Sequence, residues 1–203
     1  MARYGLVIDE FRCTGCYACV VACASENSTR PGISWIRIQE REEGEYPEVS
    51  KCYTPLLCLQ CGKMPCAKVC PSGAISMAEG GVVHIDPGRC LCCDNPPCTG
   101  ACPFNVLQAN KGRRSYFAEY LSSFEKEAYE AHKDGLVEKC TLCHHRIAAG
   151  QLPACVQACP SQAMLFGDHD DPTSALSKVI SGGGTREMKE ELKLNPSVVY
   201  VKR

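Results

Sequence analysis

The sequence predicts an α+β protein built from short strands, short helices and many loops that carry cysteine. Three observations lead there. The chain holds 18 cysteines among 203 residues, several times ordinary usage. Sixteen of them form four groups of related spacing, an internal repeat at the level of metal ligands. Short β-type runs feed turns that deliver the first cysteine of a group, so ligands rather than one large apolar core are expected to hold the loops.

The elements follow in order. Leu6-Val7-Ile8 is the first expected strand, and Ile8-Asp9-Glu10-Phe11-Arg12-Cys13 recurs as Ile85-Asp86-Pro87-Gly88-Arg89-Cys90. Ile33, Trp35, Ile36 and Ile38 predict a strand, and the charges at 40–43 an exposed turn after it. Gly73-Ala74-Ile75-Ser76-Met77 and Val82-Val83-His84-Ile85 flank Ala78-Glu79-Gly80-Gly81, a β-hairpin pattern with a glycine turn. Over 115–133, Phe117, Tyr120, Leu121, Phe124, Ala128 and Ala131 recur at helical spacing opposite Glu and Lys. Ser115 is the expected cap of that helix and Gly135 its stop. A short helix is expected near 173–180, a loop at Ser181-Gly182-Gly183-Gly184, and a last strand at Ser197-Val198-Val199-Tyr200-Val201.

Composition excludes several classes. Lys+Arg is 22 against Asp+Glu 23, a net charge of −1, which leaves no basic footprint for nucleic acid. The opening Met1-Ala2-Arg3-Tyr4-Gly5-Leu6-Val7-Ile8-Asp9 lacks the pattern of a signal peptide. No apolar run of about 18 residues predicts a transmembrane segment. A reducing, cytoplasmic setting is therefore expected, with the cysteines on metal rather than in disulfides.

The groups are Cys13-x2-Cys16-x2-Cys19-x3-Cys23, Cys58-x2-Cys61-x4-Cys66-x3-Cys70-Pro71, Cys90-x2-Cys93-x4-Cys98-x3-Cys102-Pro103 and Cys140-x2-Cys143-x11-Cys155-x3-Cys159-Pro160. A [4Fe–4S] cluster needs one thiolate per iron. A loop winding round one cluster supplies three, and in bacterial two-cluster ferredoxins the cysteine before proline ligates the other cluster. Zinc accounts poorly for three thiolates within Cys13-x2-Cys16-x2-Cys19 and gives no reason for a repeated Cys-Pro ending. Cys92 is an extra thiol beside Cys93, so the ligand choice there stays open, and with it four clusters against three. Cys52 and Cys92 read as ordinary thiols. His144 and His145 read as surface or hydrogen-bonding residues, and Trp35 as a packing residue. Nothing forms a catalytic carboxylate pair or nucleophile, so the chain is not expected to be an enzyme on its own.

The passages Cys13-Thr14-Gly15-Cys16-Tyr17-Ala18-Cys19-Val20-Val21-Ala22-Cys23, Cys66-Ala67-Lys68-Val69-Cys70-Pro71-Ser72-Gly73-Ala74-Ile75, Glu138-Lys139-Cys140-Thr141-Leu142-Cys143 and Leu152-Pro153-Ala154-Cys155-Val156-Gln157-Ala158-Cys159-Pro160 carry a resemblance. The chain resembles the four-cluster, ferredoxin-like iron–sulfur subunits of molybdenum- and tungsten-pterin oxidoreductases, of the dimethyl sulfoxide reductase, polysulfide reductase and formate dehydrogenase type. The resemblance implies two interleaved bacterial-ferredoxin-like modules. The outer would span 1–54 and 111–203, with an inserted helix about 115–133 and a C-terminal tail 167–203; the inner would span 55–110. It implies four [4Fe–4S] clusters, held by Cys13, Cys16, Cys19 and Cys159; by Cys140, Cys143, Cys155 and Cys23; by Cys58, Cys61, Cys66 and Cys102; and by Cys90, Cys93, Cys98 and Cys70. One departure stands out. The family's third group more often has a two-residue gap where Asp94-Asn95-Pro96-Pro97 lengthens this one.

The function expected from this is electron transfer between a separate large molybdenum- or tungsten-pterin catalytic subunit and another carrier, which for some members is a membrane quinone-reactive subunit. The alternative is a free-standing soluble polyferredoxin serving several partners. The resemblance also leaves open export in folded form with a signal-bearing partner, or membrane association through one. A radical S-adenosylmethionine enzyme would need a Cys-x3-Cys-x2-Cys loop, which is absent.

Overall fold

The computed structural model describes residues 2–112, 115–117 and 119–202. Strand β1 (Tyr4–Ile8) leads through the first cysteine loop into helix α1 (Ala18–Glu26), followed by the hairpin of β2 (Ile36–Glu43) and β3 (Ser50–Leu57). Next come α2 (Pro65–Lys68), the small hairpin of β4 (Ile75–Met77) and β5 (Val83–Ile85), and α3 (Pro97–Gly100). The two-residue strands β6 (Gln108–Ala109) and β7 (Val137–Glu138) pair across the segment that holds α4 (Ser123–Ala128). Helices α5 (His144–Ala148) and α6 (Ala154–Gln157), strand β8 (Met164–Asp168), helix α7 (Ala175–Ser181) and strands β9 (Thr185–Arg186) and β10 (Val198–Val201) complete the chain.

The two ends of the sequence meet in one sheet. Its order is β8-β1-β10-β9, with β1 antiparallel to β8 and parallel to β10. Leu6, Ile8, Val198 and Tyr200 are fully buried where β1 lies beside β10, each contributing roughly 1.5–3 kcal/mol of burial. The Tyr200 hydroxyl donates to the Pro55 carbonyl at 2.9 Å, tying this sheet to the β2–β3 hairpin. The hydrophobic core is continuous with the cysteine groups: Leu57, Leu59, Leu142 and Ile36 pack in one cluster with Cys23, Cys58, Cys61, Cys140 and Cys155. A sizeable apolar core therefore shares the work with the cysteine loops, contrary to the expectation that ligands alone would hold them.

Three local expectations are corrected. The charges at 40–43 do not form a turn, because β2 runs through to Glu43 in register with Ser50. The charges suit a strand because Glu40 pairs with Lys51 at 2.6 Å across the hairpin and Arg41 pairs with Glu43 at 2.5 Å along the opposite face of β2.

The helix expected over 115–133 shrinks to α4, and Ala118 of that span lies outside the described residues. Its apolar face is also inverted, with Phe117, Tyr120 and Phe124 exposed and Glu125 buried. The cause is the Glu125 carboxylate. It accepts from the Ser115 hydroxyl, the Tyr116 N–H and the Ser122 N–H and hydroxyl, at 2.8–3.0 Å. Ser122 rather than Ser115 is therefore the cap, in a reciprocal capping box with Glu125.

The cysteines are not confined to turns either. Cys19 and Cys23 lie on α1, Cys66 on α2, Cys98 on α3 and Cys155 on α6.

Candidate metal centres

Each group delivers its last two cysteines by the same local device. The third cysteine is the second residue of a helix, and the fourth comes four residues later. Where proline follows the fourth cysteine, as at Pro71, Pro103 and Pro160, the helix is a single turn ending at Lys68, Gly100 or Gln157. Proline disfavours helical geometry in the residue before it and offers no N–H of its own. Ala24 lifts that restriction, and α1 runs on to Glu26. Cys70, Cys102 and Cys159 are thereby turned out of their helices.

The loops are strained as well. Gln60, Met64, Cys92, Leu142 and Cys143 all sit at positive φ without being glycine, at roughly 1–3 kcal/mol each, and such strain gathers at ligand clamps. Gly15 also has positive φ, and a side chain there would strike the Tyr53 ring.

The tertiary fold then joins distant groups. Burial pushes the Cys19 thiol up to about 11, helped by repulsion from Cys13, Cys159 and Cys16. Cys13 is raised by burial and by Cys159 and Cys16. Burial likewise pushes Cys23 up to about 12, with Cys143 next in effect. Cys140 and Cys155 are raised strongly by burial and then by Cys23. Cys23, Cys140, Cys143 and Cys155 line one cavity together with Asn27 and Trp35.

In the middle of the chain, burial takes Cys61 to about 12 and Cys66 to about 11, with Cys58 and Cys102 adding repulsion to both. Cys98 is raised by burial and by Cys70 and Cys90. Cys93 enters this last set only through Cys92, which burial and Cys90 raise most and Cys93 raises least. The structure thus brings Cys159 to the first group, Cys23 to the fourth, Cys102 to the second and Cys70 to the third.

Such a donor set suits an iron–sulfur core. Several thiolates buried side by side repel one another, and the thiols that burial raises here, such as Cys19, Cys23, Cys61, Cys66, Cys140 and Cys155, give up a proton readily only when a cation replaces it. Soft thiolates gathered in this way are the donors that an iron–sulfur core takes at its corners. When bound, a [4Fe–4S] cluster supplies a one-electron couple.

Side-chain donors to sulfur were not anticipated from the sequence. The Ser72 hydroxyl lies 3.6 Å from Cys70 Sγ, and the Ser161 hydroxyl lies 3.6 Å from Cys159 Sγ. Asn27 Nδ2 donates to Cys23 Sγ at 3.6 Å. The repeated Cys-Pro-Ser was a legible signal for the serines, whereas Cys102-Pro103 continues with Phe104. At Cys70 burial works to raise the thiol, yet the Ser72 hydroxyl and the N–H groups of Ala74, Ser72 and Ile75 hold it below the usual value. Hydrogen bonds to sulfur stabilise the extra negative charge of a reduced cluster. Ser72→Ala and Ser161→Ala are each expected to lower one reduction potential by roughly 20–60 mV, the equivalent of one hydrogen bond. An EPR-monitored redox titration checks this.

Of the two extra cysteines, Cys52 lies on the β2–β3 hairpin and Cys92 lies within the third group beside Cys90 and Cys93. Cys52 is buried with Glu43 Oε2 at 3.5 Å, and Cys92 is half-buried with its thiol directed at the Cys90 carbonyl. Trp35 packs against the core and donates from Nε1 to Glu138 at 3.2 Å. His145 pairs with Glu26 at 2.8 Å.

Comparison with known proteins agrees with this chemistry. Residues 49–118 and 124–169 match one 4Fe-4S dicluster domain family, and residues 12–74 match a second of the same description. One subunit of the selenate reductase of Mesobacillus selenatarsenatis is 37% identical over 97% of this chain and 70% of its own length. The iron–sulfur subunit of the arsenate respiratory reductase of Shewanella sp. is 34% identical over 98% of this chain and 96% of its own. The iron–sulfur cluster-binding subunit of the menaquinone reductase of Nitratidesulfovibrio vulgaris is 30% identical over 99% and 89%. Two dicluster domains imply four [4Fe–4S] clusters, not three. The chain belongs to the ferredoxin-like iron–sulfur subunits of the molybdenum- and tungsten-pterin oxidoreductases, which transfer electrons without being catalytic themselves.

Proposed function

We propose that the sixteen grouped cysteines bind as four crossed quartets, linking a large molybdenum- or tungsten-pterin catalytic subunit to a further redox carrier. The observation that carries this is the order in which the quartets come within electrostatic reach of one another. Cys19 acts on Cys23 and Cys155, which relates the Cys13 quartet to the Cys140 quartet. Cys58 acts on Cys140, which relates that quartet to the Cys58 quartet. The Cys58 and Cys90 quartets exchange members through α2 and α3, whose cysteines run Cys66 to Cys70 and Cys98 to Cys102.

The row has a buried middle and accessible ends. Cys16 is exposed and Cys90 and Cys93 are half-buried, while Cys23, Cys58, Cys61, Cys66, Cys140, Cys143 and Cys155 are buried. That suits a carrier meeting one partner at each end. The architecture we assign is α+β, with an outer module of residues 1–54 and 111–203 around an inner one of 55–110. Its support is the pairing of β1 with β8 and β10, which closes the outer part, and the β4–β5 hairpin within the inner part. We place the protein in the cytoplasm, where thiols stay reduced for cluster assembly. No helix among the described residues is long and apolar enough to cross a membrane, and the quinone-reactive partner, where there is one, would be a separate chain.

Anaerobic purification through a tag on this chain tests the reading. A pterin-bearing large subunit should copurify from the cytoplasmic fraction. A chain that elutes alone and exchanges electrons with unrelated enzymes would instead be a free polyferredoxin.

A further inference from the structure

One seam joins the middle two quartets, and it contains a buried charge. Gln60, fully buried, donates from Nε2 to the Cys140 carbonyl at 3.0 Å and accepts from the Val83 N–H at 2.8 Å. Lys139, 2% exposed, donates from Nζ to the same Cys140 carbonyl at 3.0 Å and to the Val83 carbonyl. Two side chains thus tie the second cysteine group and the β4–β5 hairpin to the fourth group. Gln60 pairs both ends of its buried amide with backbone groups. A neutral side chain would serve that end, so the ammonium asks for a further reason.

An ammonium taken out of water costs several kcal/mol unless opposite charge lies nearby. Among the described residues, no carboxylate forms an ion pair with Lys139. The neighbouring Glu138 is already occupied by Trp35, Asn110 and His132. What does lie nearby is cysteine, which becomes thiolate when a cluster binds. Lys139 adjoins Cys140 in the chain, and its ammonium meets, on the Cys140 carbonyl, the side chain of Gln60, which stands between Cys58 and Cys61, so it sits where the two middle quartets join. A cluster with its four thiolates carries about −2 when oxidised and one more negative charge when reduced.

We infer that the Lys139 ammonium is the fixed countercharge of the two inner centres, and that it raises their reduction potentials relative to the two outer ones. This rests on the quartet assignment above. The reasoning is Coulombic. A cation held in a medium of low dielectric favours whichever state carries more negative charge. Each inner centre gains one electron on reduction, with no bond or proton exchanged, so the reduced state gains more from Lys139 than the oxidised state does. The Cys13 and Cys90 quartets lie on the far sides of the row, where solvent reaches the exposed Cys16 and the half-buried Cys90 and Cys93 and screens them.

The test is a potentiometric EPR titration of the full, cluster-loaded chain, with iron and acid-labile sulfide measured on the same samples. Lys139→Met keeps the apolar stem and removes the charge; Lys139→Arg keeps the charge. Lys139→Met with its full iron should show two of four couples moved to lower potential by about tenfold in the reduction equilibrium, about 59 mV for one electron. Lys139→Arg should hold those couples near the native values.

Four unmoved couples, or four moved alike, would overturn the inference. Loss of iron in Lys139→Met alone would support it, since charge is then required to assemble the inner centres. Equal loss in both variants would overturn it, because shape and not charge would be responsible. A native chain devoid of iron would instead remove the cluster reading itself.

Discussion

Cys140→Ala is expected to cost the protein a quarter of its iron and to abolish turnover of its complex with a dye donor. Cys140 is buried beside Cys23 and Cys155 and lies next to Cys58 across the seam. No other thiol stands ready to replace it, since Cys52 belongs to the β2–β3 hairpin and Cys92 to the third group. The loss is discrete rather than graded, because a quartet lacking one thiolate leaves one iron without its protein ligand and the cluster, one of four, is expected to be released whole. The same measurement decides the third group. Cys93→Ala should also lose a quarter of the iron, whereas Cys92→Ala and Cys52→Ala should keep all of it. Iron analysis alongside EPR of the reduced protein reads every variant. Full iron in Cys93→Ala with loss in Cys92→Ala would exchange the roles of those two neighbours.

Removing the iron is expected to unfold much of the chain. Cys23, Cys58, Cys61, Cys140 and Cys155 are part of the same packed cluster as Leu57, Leu59 and Leu142, so emptying the centres opens the core itself. Binding energy for metal is folding energy in such a protein. Far-UV circular dichroism before and after anaerobic chelation should record the loss, and reconstitution with iron and sulfide should reverse it.

Two pH dependences follow. In the loaded protein, protons compete with iron for thiolate, so chelators should strip iron faster as pH falls. In any folded iron-free chain, Cys19 and Cys66 near 11 and Cys23 and Cys61 near 12 stand above the ordinary value of 9.0. A raised folded value stabilises the fold below the unfolded value and ceases to do so as pH rises through the folded one. The iron-free chain should therefore lose stability from about pH 9 towards 12, the opposite sense to acid release of iron.

The legible part of this protein was local. Cysteine spacing sets how far apart thiols sit on a loop, and proline after the fourth cysteine ends its helical turn at once, so both can be read along the chain. The strand before Cys13 and the β4–β5 hairpin were readable for the same reason, since glycine turns and short apolar runs act over a few residues. Where a local rule was overridden, a single distant contact did it. The periodic aromatics of 115–133 promised a buried face. The Glu125 carboxylate, gathering donors from Ser115, Tyr116 and Ser122, buried the other side instead.

By itself, the sequence determined the type of chemistry and the number of thiol groups, because sixteen of the eighteen cysteines recur in four groups whose spacing is covalent. Only the tertiary structure brought Cys159 towards Cys13, left Cys16 exposed, and set Gln60 and Lys139 together on the Cys140 carbonyl. Those outcomes depend on which distant segments share a core and how far water is excluded from it. Neither quantity is written in the order of neighbouring residues.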